Sequence, residues 1–79
     1  MAQLRAKKII SDPAILGGKP ILLGTRLSVE FVLELIGSGM TFDDITEEYP
    51  TLSAADIAAA LNFAQRAVSH ERVVPLGVR

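Results

Sequence analysis

The chain contains no cysteine and no tryptophan, and it has a single histidine, His70. The missing cysteines exclude a disulfide framework, a thiolate zinc site and a cysteine nucleophile, which fits a reducing compartment, so the cytoplasm is the default expectation. No apolar run approaches the roughly 20 residues of a membrane-spanning helix. The basic start at Arg5, Lys7 and Lys8 leads into Ile9-Ile10 and then Ser11-Asp12-Pro13, too short for a signal-peptide core. A protein that is neither exported nor membrane-bound is therefore expected.

Positive charge is also missing from one long stretch. Residues 27–56 hold no Lys or Arg but carry Glu30, Glu34, Asp43, Asp44, Glu47, Glu48 and Asp56, a charge of −7. The preceding residues 1–26 carry +4 and residues 57–79 carry +2, within an overall net charge of −1. A polyanion should meet the N-terminal segment first, which makes Arg5, Lys7, Lys8, Lys19 and Arg26 the candidate DNA-contacting residues.

What the chain does have is apolar residues, 49% of its 79 positions. One domain of this size buries only about 60% of the surface its unfolded chain exposes, so its core is small and a homodimer is expected. Residues 9–29 alternate short apolar runs with turn signals at Asp12-Pro13, Gly17-Gly18, Pro20 and Gly24-Thr25. They predict a β-hairpin, with Gly17-Gly18 as a tight turn between Ile15-Leu16 and Ile21-Leu22-Leu23. Pro20 lacks an N–H and so belongs on an edge.

From Ser28 the period becomes helical. Val29, Val32, Leu33 and Ile36 fall at helical spacing, widened by Phe31 and Leu35, and predict a helix over 28–38 ended by Gly37-Ser38-Gly39. Such a broad apolar face needs cover on two sides. Thr41 and Ser53 each precede, by three residues, an acid at the capping-box position (Asp44 and Asp56), and Met40/Ile45 and Leu52/Ile57 stand at staple positions. Two further helices are predicted, over 41–48 and 53–70, the first closed by Pro50. The fold expected is mainly α with a small β element, a hairpin ahead of a three-helix, helix-turn-helix-like unit. The tail, 71–79, is apolar with Pro75 and reads as extended. Val73, Val74 and Leu76 are its candidate partner-binding residues, adding a strand to this sheet or to a partner's.

No motif supports catalysis or a cofactor. Gly17-Gly18-Lys19-Pro20 lacks the hydroxyl residue a phosphate-binding loop places after its lysine. His70 has no Ser or Asp at suggestive spacing and suits the negative end of a helix. Asp43, Asp44, Glu47 and Glu48 are a solvated helix surface rather than a metal site. Hence no enzyme, metal, cofactor or small-molecule substrate is expected. Asp12 and Arg26 are open to three readings: a salt bridge between them, capping of the hairpin turns, or an Arg26 that faces phosphate together with Lys19. In DNA readers of this shape the start of the second motif helix touches base edges. Here that start is Ser53-Ala54-Ala55-Asp56, in which alanine carries no base-reading group and Asp56 repels phosphate. Asn62, Gln65 and Arg66 are the polar candidates farther along.

Ile10-x-Asp12-Pro13-x-Ile15, Gly17-Gly18-Lys19-Pro20-x-Leu22-x-Gly24-Thr25-Arg26-Leu27-x-Val29, Tyr49-Pro50-x-Leu52 and Asp56-Ile57-x-x-Ala60-Leu61 form a recognisable order. The chain resembles the domain of unknown function family 433 over about residues 9–70. The resemblance implies a helix-turn-helix-like fold and the role of antitoxin to a ribonuclease-like toxin of the PIN class. A protein of that kind silences the toxin and, with it, binds promoter DNA; no catalytic residues carry over. The rival expectation is a protein-interaction or dimerisation module that does not bind DNA.

Overall fold

The computed structural model describes residues 6–69. Two short strands, β1 (Ile9–Ser11) and β2 (Pro20–Leu22), precede three helices, α1 (Val29–Gly37), α2 (Phe42–Glu48) and α3 (Ala54–Val68). The protein is therefore mainly helical with a small antiparallel sheet, as the change of hydrophobic period at Ser28 predicts. The tail with Val73, Val74 and Leu76, and also Arg5 and His70, lie outside the described residues.

The hairpin differs from its predicted form. β1 pairs with β2 in the register Ile9↔Leu22, Ile10↔Ile21 and Ser11↔Pro20, so Ile15-Leu16 is connection and not strand. Gly17-Gly18 instead closes a 3-10 turn, Leu16–Gly18, in which both glycines have positive φ. The glycines supply left-handed backbone as expected, but in a longer connection. Asp12 starts that connection: its Oδ1 accepts from the Ala14 N–H at 2.9 Å and its carbonyl from the Ile15 N–H at 2.8 Å. Pro20 opens β2 at the end of the ladder, where a missing N–H is tolerated.

Thr25 folds the chain from β2 into α1. Its hydroxyl donates to the Leu22 carbonyl at 2.7 Å and accepts from the Leu27 N–H at 3.0 Å, while the Leu22 N–H reaches the Leu27 carbonyl at 3.0 Å. Ser28 then caps α1 by accepting from the Phe31 N–H at 2.9 Å. At the other end, the Met40 N–H donates to the Leu35 carbonyl and the Gly39 N–H to that of Ile36, with Gly39 at φ 103°. This pair of bonds is the Schellman closure, and the half-buried Leu35 and Met40 flank it.

Both predicted capping boxes form. Thr41 and Asp44 exchange hydrogen bonds of 3.0 Å, and Ser53 and Asp56 exchange bonds of 3.1 and 2.9 Å. Between them Tyr49 leaves helical geometry ahead of Pro50, with φ −126° and ψ 80°, which ends α2 and turns the chain into α3. The ring of Tyr49 meets Phe31 of α1 edge to face at 5.5 Å.

One core joins these parts. Leu22 of β2, Val29 and Val32 of α1, Ile45 of α2, Leu52 of the turn, and Ile57 and Ala60 of α3 form the buried cluster. Leu52 is thus both the staple residue before α3 and a core residue, so local capping and tertiary packing depend on the same side chain. The second face of α1 is half-buried at Leu33, Leu35 and Ile36, which leaves it available to further cover.

Candidate functional site

Asp56 is the only acidic residue among the described ones that is fully buried, with 0% exposure. Its position follows from the capping box, which turns the N3 side chain back over the helix start. There Oδ2 accepts from the Ser53 N–H and from the Lys7 ammonium, each at 2.9 Å, and Oδ1 accepts from the Lys7 backbone N–H at 2.7 Å. The same ammonium donates to the Thr51 carbonyl at 2.6 Å. Burial pushes the Asp56 carboxyl up, but the backbone and side-chain donors of Lys7 and the Ser53 N–H outweigh it and hold the group below its ordinary value. This clip fastens the N-terminal segment to the turn between α2 and α3.

The expected repulsion of phosphate by Asp56 is corrected by this arrangement, because the carboxylate is sealed and neutralised by Lys7 rather than displayed at the surface. Lys7 in turn keeps only part of its side chain exposed, 32%. Lys19 also has a partner: its ammonium lies 2.8 Å from Glu30, both side chains more than half exposed. The Glu30 hydrogen bond and charge raise the pKa of Lys19. Lys8 and Arg26 are exposed. Among the described residues no ion pair joins Arg26 to Asp12, which caps its own turn instead.

Two grooves flank α3. The first, about 450 Å³, lies between the N-terminal segment and α3 and is lined by Lys7, Ile9, Ala59, Asn62, Phe63 and Arg66. Asn62 and Arg66 are one helical turn apart, exposed, and share this groove with Lys7. Residues that the sequence placed in two separate regions, 55 positions apart for Lys7 and Asn62, thus form one polar, basic surface. Gln65 is exposed but is not among its lining residues.

The second groove, about 500 Å³, lies between α1 and α3. Val29, Leu33, Phe63, Ala67 and Val68 make its apolar walls, and Glu30 and Glu34 stand at its edge. Phe63 belongs to both grooves, so α3 is the partition between them. The breadth of the apolar face of α1 in the sequence points to surface that needs further cover, but not to α3 as the other wall. On the α3 side the small residues Ala64 and Ala67 leave space between Phe63 and Val68.

Among the described residues no group of three or more His, Cys, Asp or Glu side chains is placed to hold a metal ion, and no helix is long and apolar enough to cross a membrane. The family described as protein of unknown function (DUF433) matches residues 9–64, from β1 to the middle of α3. The chain is similar to an uncharacterized protein, y4eO, of Sinorhizobium fredii strain NBRC 101917 / NGR234, with 36% identity over 61 residues. That match takes in 76% of this chain and 28% of the length of the relative. No solved structure matches.

Proposed function

We propose that this chain, which belongs to the DUF433 family, is a non-catalytic binding module of the antitoxin type, with nucleic acid on one side of α3 and protein on the other. The observation that carries the reading is the division of surfaces by α3. In the groove lined by Lys7, Asn62 and Arg66, the exposed guanidinium of Arg66 and amide of Asn62 are offered to a phosphate backbone beside a Lys7 whose charge Asp56 balances. The groove with Leu33, Phe63 and Val68 offers apolar surface within an acidic edge, suited to a protein segment that is apolar and basic. The protein partner that fits the family resemblance is a PIN-class ribonuclease toxin, and the nucleic acid its promoter DNA. Exposed Leu16 and Leu23, at 44% and 47%, supply apolar surface for the homodimer expected of so small a domain.

A second reading has its own support. Lys7 and Lys19, two of the candidate DNA contacts, are already engaged by Asp56 and Glu30. A module that binds protein alone, its basic residues serving the fold, accounts for those two pairs directly. A mobility-shift titration on the DNA upstream of its own gene, repeated across salt concentrations, separates the two. Retention that weakens with salt and with Arg66→Ala supports the two-sided module. No retention, alone or with the product of the neighbouring gene, leaves the protein-only reading.

A further inference from the structure

We infer that the outer edge of β1 is an interface between two copies of this chain. It pairs with the β1 of a second copy, antiparallel about a twofold axis through Ile10, so that two hairpins join in one continuous sheet. This deepens the homodimer expected above and rests on that part of the reading alone.

The alternation of hydrogen bonds in the hairpin fixes which groups face outward. The Leu23 N–H donates to the Lys8 carbonyl at 2.7 Å, so in this antiparallel ladder Lys8 and Ile10 turn their main-chain groups to β2, while Ile9 and Ser11 turn theirs away. The Lys7 N–H follows the same alternation and is taken by Asp56. The far side of β2 is already covered, because the Leu22 N–H donates to the Leu27 carbonyl and Ile21 bridges to Ser28. Among the described residues, no backbone or side-chain group meets the N–H or carbonyl of Ile9 or Ser11. Ile9 lines the open groove beside α3 and Ser11 is exposed, so this edge is accessible to a further strand.

The order of residues along β1 is self-complementary. With Ile10 opposite the partner's Ile10, Ile9 stands opposite the partner's Ser11 on either side of the axis, and each such pair exchanges both of its N–H···O bonds. The half-buried Ile10 side chains meet across the closely spaced pair at the axis. Farther out, on the same face as Ile10, Lys8 falls opposite the partner's Asp12. Among the described residues Lys8 has no carboxylate in salt-bridge range, and Asp12 uses Oδ1 alone to cap its own turn. The register therefore sets an ion pair at either end. The ladder stops where donors run out: the next position pairs Lys7, whose N–H Asp56 holds, with the partner's Pro13, which has none. An unrelated extended peptide need match none of these features, and a second copy matches all of them. The pairing takes nothing from Asn62 or Arg66.

The test uses the full chain. As its concentration rises to that of a magnetic-resonance sample, sedimentation should show monomer passing to dimer, and amide exchange at Ile9 and Ser11 should slow. In a sample mixed from isotope-labelled and unlabelled protein, nuclear Overhauser contacts between chains are expected from Ile10 to Ile10 and from Ile9 to Ser11. Lys8→Glu sets like charges opposite each other at both ends and should raise the dimer dissociation constant about tenfold. Adding Asp12→Asn removes that repulsion while keeping an acceptor for the turn, and should return the constant to within about threefold of the unsubstituted value. A chain that stays monomeric throughout overturns the inference, as does a dissociation constant unmoved by Lys8→Glu. A dimer whose contacts between chains run through Leu16 or Leu23 instead also overturns it, but keeps the homodimer. Neither DNA nor another protein enters these measurements, so their failure is distinct from failure of the two-sided binding reading.

Discussion

The Lys7 ammonium lies 2.9 Å from a fully buried Asp56 carboxylate although 49 residues separate the two in sequence. Asp56 is also the capping-box acid of α3, so one side chain joins three parts of the molecule: the helix start, the preceding turn and the N-terminal segment. Removing either partner has unequal consequences. Asp56→Ala leaves the Lys7 and Ser53 N–H groups without an acceptor and should lower stability by about 3 kcal/mol. Lys7→Met keeps the backbone donor and should lower it by about 1.5 kcal/mol. Urea unfolding of the two variants checks the order, and equal losses would contradict the stronger role of the carboxylate.

The same carboxyl predicts an acid-labile contribution to stability. Its folded-state pKa lies below the ordinary 3.8, so its contribution is full above that value. As pH falls through the ordinary value and toward the folded one, the unfolded chain takes up the proton first and the contribution is lost. Unfolding midpoints measured from pH 6 down to pH 2 should fall less steeply in Asp56→Asn than in the unsubstituted protein.

Capping makes local predictions. Thr41→Ala and Ser53→Ala each remove one hydroxyl acceptor and should each lower stability by about 1 kcal/mol. Thermal unfolding followed by circular dichroism is sufficient to measure this. The Ser53 change should be the larger, because the N–H that loses its acceptor belongs to the fully buried Asp56, whereas Asp44 is exposed.

Gly39 closes α1 at φ 103°, with open space where a Cβ would stand. Gly39→Ala should thus be unfavourable through backbone strain and not through a clash, by about 1–2 kcal/mol. Gly37 also meets nothing in the space of a Cβ but lies in helical backbone. Gly37→Ala should stabilise by up to about 1 kcal/mol, so opposite signs at two glycines separated by one residue are the expected outcome.

For nucleic acid, position on α3 should matter more than charge alone. Arg66→Ala removes a cation from the groove that holds Lys7 and Asn62, and should reduce the slope of log affinity against log salt by about 1. Lys19→Ala removes a cation already paired with Glu30, so the slope should hardly change. Equal effects from the two would indicate diffuse attraction instead of a groove.

The helices were legible because their determinants are local. Thr41 and Ser53 are followed at fixed spacing by the acids that complete their capping boxes, and Pro50 and Gly39 stop helices through their own backbone limits. The hairpin was legible as a kind of structure but not in its register. Gly17-Gly18 marks a left-handed turn wherever it occurs, while the choice of Ile9–Ser11 over Ile15-Leu16 as the partner of β2 depends on which apolar side chains reach the core.

Determined by the sequence alone were the starts of α2 and α3, the stops of α1 and α2, the division into basic and acidic stretches, and the lack of cysteine-based chemistry, since each depends on residue type and short spacing. The third helix, expected to run to 70, ends at Val68. Only the tertiary structure decided that Lys7 neutralises Asp56, that Lys7, Asn62 and Arg66 share a groove, and that α3 has a basic surface on one side and an acidic-edged apolar one on the other. Charge adds along a sequence, but it acts through distance. Distances between residues 7 and 56, or 34 and 68, are set by how three helices pack around Leu52 and Ile57.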